Sequence, residues 1–99
     1  MQRELEKLRK KIDKADHELL RALAFRFSAV RSIGLLKKAN GIPIRQSARW
    51  KEVVRDRLKL AKKMGLSGDL ADKIFTAIHR EAIRTQRKLS SKKSRKRSK

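Results

Sequence analysis

From about Arg3 to Lys38 the apolar side chains return every three or four residues, and no proline interrupts them. Leu5, Leu8, Ile12, Ala15, Leu19, Ala22, Val30 and Ile33 form the stripe. That step belongs to a helix, not to the two-residue alternation of a strand. A helix of about 36 residues is roughly 54 Å long at 1.5 Å per residue. A compact chain of this size has a radius of gyration of only about 13 Å. The helix must therefore project beyond any core that the rest of the chain can build around it. Its stripe continues into the projecting part, and the economical cover is a second copy of the same chain. The expected class is all-α: a three-helix protomer with a long N-terminal helix, in an intertwined helical homodimer.

The rest of the chain agrees. In "KANGIPI", Asn40-Gly41 is a stop signal and Pro43, the only proline, is a breaker. A second helix is expected from Ser47 to Gly65, on the stripe Trp50, Val53/Val54, Leu58, Ala61 and Met64. A third follows "LSGD", with Ser67 or Asp69 as cap, and carries Leu70, Ile74/Phe75, Ile78, Ala82, Thr85/Gln86 and Leu89. From about Ser90 the sequence is low-complexity Lys, Arg and Ser, a composition expected to be disordered. The reading is one helical domain over 1–89 and a disordered basic tail over 90–99, without internal repeats or strands. Gly34 is the weak point of the first helix, at a cost of about 1 kcal/mol.

The formal net charge is +20. The last thirteen residues, "RKLSSKKSRKRSK", hold eight of the cations, yet residues 1–86 still carry +12. The body is basic in its own right, which favours anionic partners. There is no cysteine, hence no disulfide, redox thiol or cysteine-ligated zinc. No apolar run reaches membrane-spanning length. "MQRELEKLRKK" lacks the apolar segment of a signal peptide, so a soluble cytoplasmic protein is expected, without a membrane partner.

Polar residues occupy apolar places. Continued past Ala22, the stripe of the first helix reaches Arg26, Val30, Ile33 and Lys37. Arg26 and Lys37 are close to three full turns apart and share the face that should be buried. A buried cation is costly unless paired; the alternatives are snorkelling at the bundle ends or a site inside the bundle. Gln86 repeats the oddity on the third helix, beside Ala82 and His79, where it is a satisfied core amide or part of the same site. Arg9, at the edge of the stripe, would ordinarily be solvated. The connector "GIPIRQSARWKEV" brings Arg45, Arg49 and the only tryptophan, Trp50. These groups are nearly all fixed cations or amide donors, with no carboxylate pair, cysteine or Ser–His–Asp set. They suit a small polyanion such as a dicarboxylate, held by bidentate arginine contacts. They offer little for acid–base or covalent chemistry, leaving positioning and electrostatic stabilisation.

The stretch "LEKLRKKIDKADHELLRALAFRFSAVRSIGLLKKANGIPI", with Arg49 and Gln86 after it, resembles the small all-helical chorismate mutases over about residues 4–89. The resemblance implies an intertwined dimer with two sites that rearranges chorismate to prephenate without cofactor or metal. It implies that Arg9 reaches a substrate carboxylate in the partner's site and that Arg26 binds one within its own subunit. Lys37 and Gln86 would contact the ether oxygen as its C–O bond breaks. Arg45 and Arg49 match basic positions after the Pro-Ile pair. Three positions depart. The family usually reads Asp-x-x-Arg-Glu where this chain has Gln46-Ser47-Ala48-Arg49-Trp50, so the glutamate that accepts the substrate's ring hydroxyl is replaced by an indole, which only donates. Ala82 stands where a serine often contacts a carboxylate, and His79 where an aliphatic residue lines the pocket. Trp50 is otherwise read as core packing, His79 as a helix-face histidine without function, and His17 as a surface residue.

The nearest rivals use the same cationic cage on isochorismate, with loss of pyruvate, or on 4-amino-4-deoxychorismate. Others are a non-catalytic helical relative, and a nucleic-acid binder suggested by the charge but lacking any recognition motif. Short of that, the tail is expected to allow salt-sensitive, non-specific contact with nucleic acid.

Overall fold

A computed structural model of the chain describes residues 1–98, with side chains described for residues 1–91. It contains three helices: α1 (Gln2–Ala39), α2 (Ser47–Lys63) and α3 (Gly68–Ser98). The ends follow from backbone chemistry. After α1, Gly41 takes φ +63°, and the amides of Gly41 and Ile42 turn back onto the carbonyls of Lys38 and Lys37. After α2, Gly65 takes φ +78°, and the amides of Gly65 and Leu66 return to the carbonyls of Lys62 and Ala61 in the same way. Both glycines occupy the left-handed cap position that side chains resist. Of the two expected caps of α3, Ser67 is the one used: its Oγ accepts from the Leu70 amide at 3.2 Å. Asp69 sits in the first turn instead and pairs with Lys73 at 3.0 Å. The tail expected to be disordered at 90–99 begins within α3, whose last residue is Ser98, and Lys99 lies outside the described residues.

Helices α1 and α2 each pack on α3 and not on each other. The Lys38 ammonium donates to the Ser90 carbonyl across the α1–α3 seam. The molecule measures 64 × 30 × 15 Å, with a radius of gyration of 18.0 Å, well above the roughly 13 Å of a compact chain this long. Its buried apolar residues are small, namely Val30, Val53, Ala61 and Ala71. Gly34 and Gln86 are buried with them. Residues 1–22 of the projecting half of α1 are all exposed. There Leu5, Leu8, Ile12 and Leu19 stay 41–59% accessible. No helix among the described residues is long and apolar enough to cross a membrane.

Candidate active site

Where α1 meets α3, a glycine and a glutamine fit into each other. A Cβ placed on Gly34 would stand 2.8 Å from Cγ of Gln86. Gly34, which lowers helix propensity, is therefore what lets the Gln86 side chain lie against the α1 backbone. Gln86 is only 7% exposed, and its Nε2 donates to the Val30 carbonyl at 3.0 Å. The amide nitrogen has two hydrogens, so one donor remains after that bond is made.

Gln86 forms one wall of an open cavity of about 400 Å³ lined by α1, the connector, α2 and α3, within the size range of small-ligand sites. From α1 come Arg26 and Lys37, and from α2 Arg49, Trp50 and Arg57. The connector adds Gln46, and α3 adds His79 and Ala82. Val30, Ile33, Val53 and Ile83 supply the apolar lining. Four cations face the space and no carboxylate lines it. The shared face of Arg26 and Lys37 thus opens onto a cavity, and neither snorkels at a bundle end.

Each cation is held differently. Arg26 is half-buried; burial, and then the nearby Arg57, lowers its pKa from the ordinary arginine value, though a guanidinium keeps its proton in proteins. Lys37 donates from Nζ to the Ile44 carbonyl at 2.6 Å, which ties the connector to α1 and leaves two ammonium hydrogens for other acceptors. Arg49 pairs with Glu52 at 2.6 Å, both side chains being exposed. Such a pair contributes little to stability and can exchange for a ligand anion.

Trp50 and His79 stack face to face, with ring centroids 3.8 Å apart and planes 9° from parallel. The pair borders the cavity on one side and, on the other, a second recess lined by Arg45, Arg80, Arg84 and Arg87. His79 Nε2 is buried with no hydrogen-bond partner. Burial, then Arg45, Arg26 and Lys37, lowers its pKa below the usual histidine value, so the ring is neutral at pH 7.

Seven of the residues expected at the site, Arg26, Lys37, Gln46, Arg49, Trp50, Ala82 and Gln86, line the one cavity. Arg45 lines the adjoining recess instead. Arg9 lines neither space; it lies about 26 Å from Arg26 along the helix at 1.5 Å per residue. Arg57 was not anticipated. Its signal was available, since positions 50, 53 and 57 share one helical face, but the stripe was continued through Leu58. His79 is a cavity residue as well, where a helix-face histidine without function had been the competing reading.

The sequence model of the family Chorismate mutase type II matches residues 8–87. The chain is 32% identical over 84 residues to the chorismate mutase of Methanocaldococcus jannaschii, covering 83% of this chain and 85% of that protein. It is 31% identical over 88 residues to a T-protein of Haemophilus influenzae, covering 89% of this chain but 23% of that protein. A bifunctional chorismate mutase/prephenate dehydratase of Aquifex aeolicus is 35% identical over 80 residues, 81% of this chain and 22% of that protein. The chain thus spans under a quarter of two of these relatives and most of the third. A cavity of fixed cations and one buried amide, within a span that the family's sequence pattern covers almost end to end, places the chain in the type II chorismate mutase family.

Proposed function

We propose that this chain rearranges chorismate to prephenate in the cavity between its three helices. The observation that carries the reading is the meeting of Arg26, Lys37 and Gln86 on one small, carboxylate-free cavity. The substrate is a dicarboxylate enol ether. One C–O bond breaks as one C–C bond forms, and no proton need be gained or lost. Arg26 holds one carboxylate and thereby favours the folded, reactive shape of the substrate. Arg49 and Arg57 add positive potential, and Arg45 stands at the mouth. Lys37 and the second N–H of Gln86 donate to the ether oxygen, where negative charge grows in the transition state. No group in this scheme acts as acid, base or nucleophile.

The remaining carboxylate is reached by the partner subunit's Arg9, in a homodimer whose long helices cover each other's exposed stripes. The exposed Leu5, Leu8, Ile12 and Leu19 support that assembly, since this much aligned apolar surface is seldom left to water. Trp50 favours a second reading, in which the same cage acts on isochorismate or 4-amino-4-deoxychorismate, compounds that differ at the ring substituent. Beyond the mutase site, the basic tail offers salt-dependent contact with nucleic acid. Incubating the purified protein with each of the three compounds and identifying products by mass and ultraviolet spectrum tests the assignment. Prephenate from chorismate is expected, and its absence overturns the reading.

A further inference from the structure

The polar side chains around the cavity are cations, amides and the donor-only indole of Trp50, with one exception. His79 has its Nε2 buried without a hydrogen-bond partner. A buried polar atom left so is costly and rare, and in a ligand cavity it marks a place where the ligand completes the structure. The imidazole plane is fixed by the stack on Trp50. A half-turn about Cβ–Cγ exchanges Nε2 with Cε1 inside that same plane, so the stack permits either ring orientation beside the cavity that His79 lines. The neighbours of the ring decide what it offers. Burial first, then Arg45 of the connector and Arg26 and Lys37 of α1, lower its pKa and favour the neutral ring, and Arg49 and Arg57 of α2 line the same cavity. A neutral ring has one bare nitrogen, and surrounding cations favour the tautomer whose lone pair faces them.

We propose that His79, held in place by Trp50, is the specificity-determining acceptor that takes a hydrogen bond from the hydroxyl on the substrate ring. The assignment rests on the mutase reading of the cavity and narrows its substrate class to a dicarboxylate with a neutral donor on the ring. An ammonium at that ring position would face four cations and no carboxylate, so the amino compound is the poorer substrate. Trp50 enters as the surface that fixes the imidazole plane.

The test compares kcat/KM for chorismate and for the analogue with hydrogen in place of the ring hydroxyl. Comparing that ratio between proteins and between pH values cancels the different intrinsic reactivities of the two compounds. At pH 7.5 the His79→Leu variant should lower that ratio about tenfold or more, the usual effect of losing one buried hydrogen bond. His79→Gln, which keeps an acceptor oxygen, should recover part of it. The wild-type protein supplies a second readout that needs no variant. His79 is the one histidine lining the cavity, and histidine is the side chain that ordinarily titrates between pH 5 and 8. Protonation removes the acceptor, and the wild-type ratio should fall as pH drops below 6.5 and onward through the lowered pKa. A ratio unchanged by both His79→Leu and pH overturns the role of His79 and leaves the mutase reading standing. Faster wild-type turnover of 4-amino-4-deoxychorismate than of chorismate overturns the hydroxyl preference. Absence of prephenate from wild-type protein and chorismate overturns the reading beneath both.

Discussion

Single side chains in this cavity serve packing and chemistry together, and variants must separate the two. Lys37 is the clearest case, because its ammonium holds the Ile44 carbonyl and is assigned to the ether oxygen. Lys37→Ala should lower kcat by about 10²–10³, the usual cost of one donor aimed at developing charge, with the helical circular dichroism kept. Near-normal turnover would reduce Lys37 to a tether for the connector. Gly34 reaches the same chemistry indirectly. Gly34→Ala gains about 1 kcal/mol of helix propensity but pushes a methyl against Cγ of Gln86. The amide must then leave the Val30 carbonyl and the cavity wall. Turnover should fall at least tenfold while Tm moves by only a few degrees; unchanged kcat would remove Gln86 from the reacting oxygen. Arg26, Lys37 and Gln86 were legible in the sequence because a charge or amide on an apolar stripe breaks a pattern that can be seen. The pairing of Gly34 with Gln86 was not legible, because a glycine in a helix looks the same whether it weakens the helix or admits a neighbour. His79 was legible only as a departure, since its orphaned nitrogen depends on what Trp50 covers.

At the scale of elements, two glycine-capped helix ends have the same backbone geometry and different consequences. Each left-handed glycine turns a pair of amides back onto the helix it ends. The turn at Gly41 launches the connector that carries Ile44, Arg45 and Gln46 past the cavity, whereas the turn at Gly65 lines neither cavity. Substituting alanine puts a Cβ into left-handed backbone at a cost of about 1–2 kcal/mol. Gly41→Ala and Gly65→Ala should therefore lose similar stability in urea titrations. KM for chorismate should rise in Gly41→Ala alone. An equal rise in both would mean that the connector does not position the site. The bounds of the first two helices and the start of the third are legible to within one or two residues, because Asn40-Gly41, Pro43 and "LSGD" are local signals with local causes, whereas α3 runs on past the expected Leu89. The side of the connector that each arginine faces depends on how the chain leaves Gly41 relative to α3, which no local signal in the sequence fixes, and Arg45 faces the recess.

The whole molecule is a plate 15 Å thick with half of α1 extending from it, and an apolar stripe along that half finds no cover in its own chain. A second copy, laid antiparallel so that each projecting half crosses the other subunit, would bury both stripes and carry each Arg9 to the opposite cavity. Arg9 in its own chain is too far from Arg26 to share a ligand of this size. Exchange of subunits tests the arrangement without requiring a folded monomer. Arg9→Ala and Lys37→Ala should each be nearly inactive as homodimers. After the two are unfolded together in equal amounts and refolded, random pairing makes about half the dimers mixed. In a mixed dimer, one site draws its lysine from the Arg9→Ala chain and its arginine from the Lys37→Ala chain, and is whole; the other carries both defects. Recovered activity should approach about one quarter of wild type, with sedimentation showing dimers throughout. If Arg9 served only its own subunit, no mixed site would be whole and mixing would recover nothing.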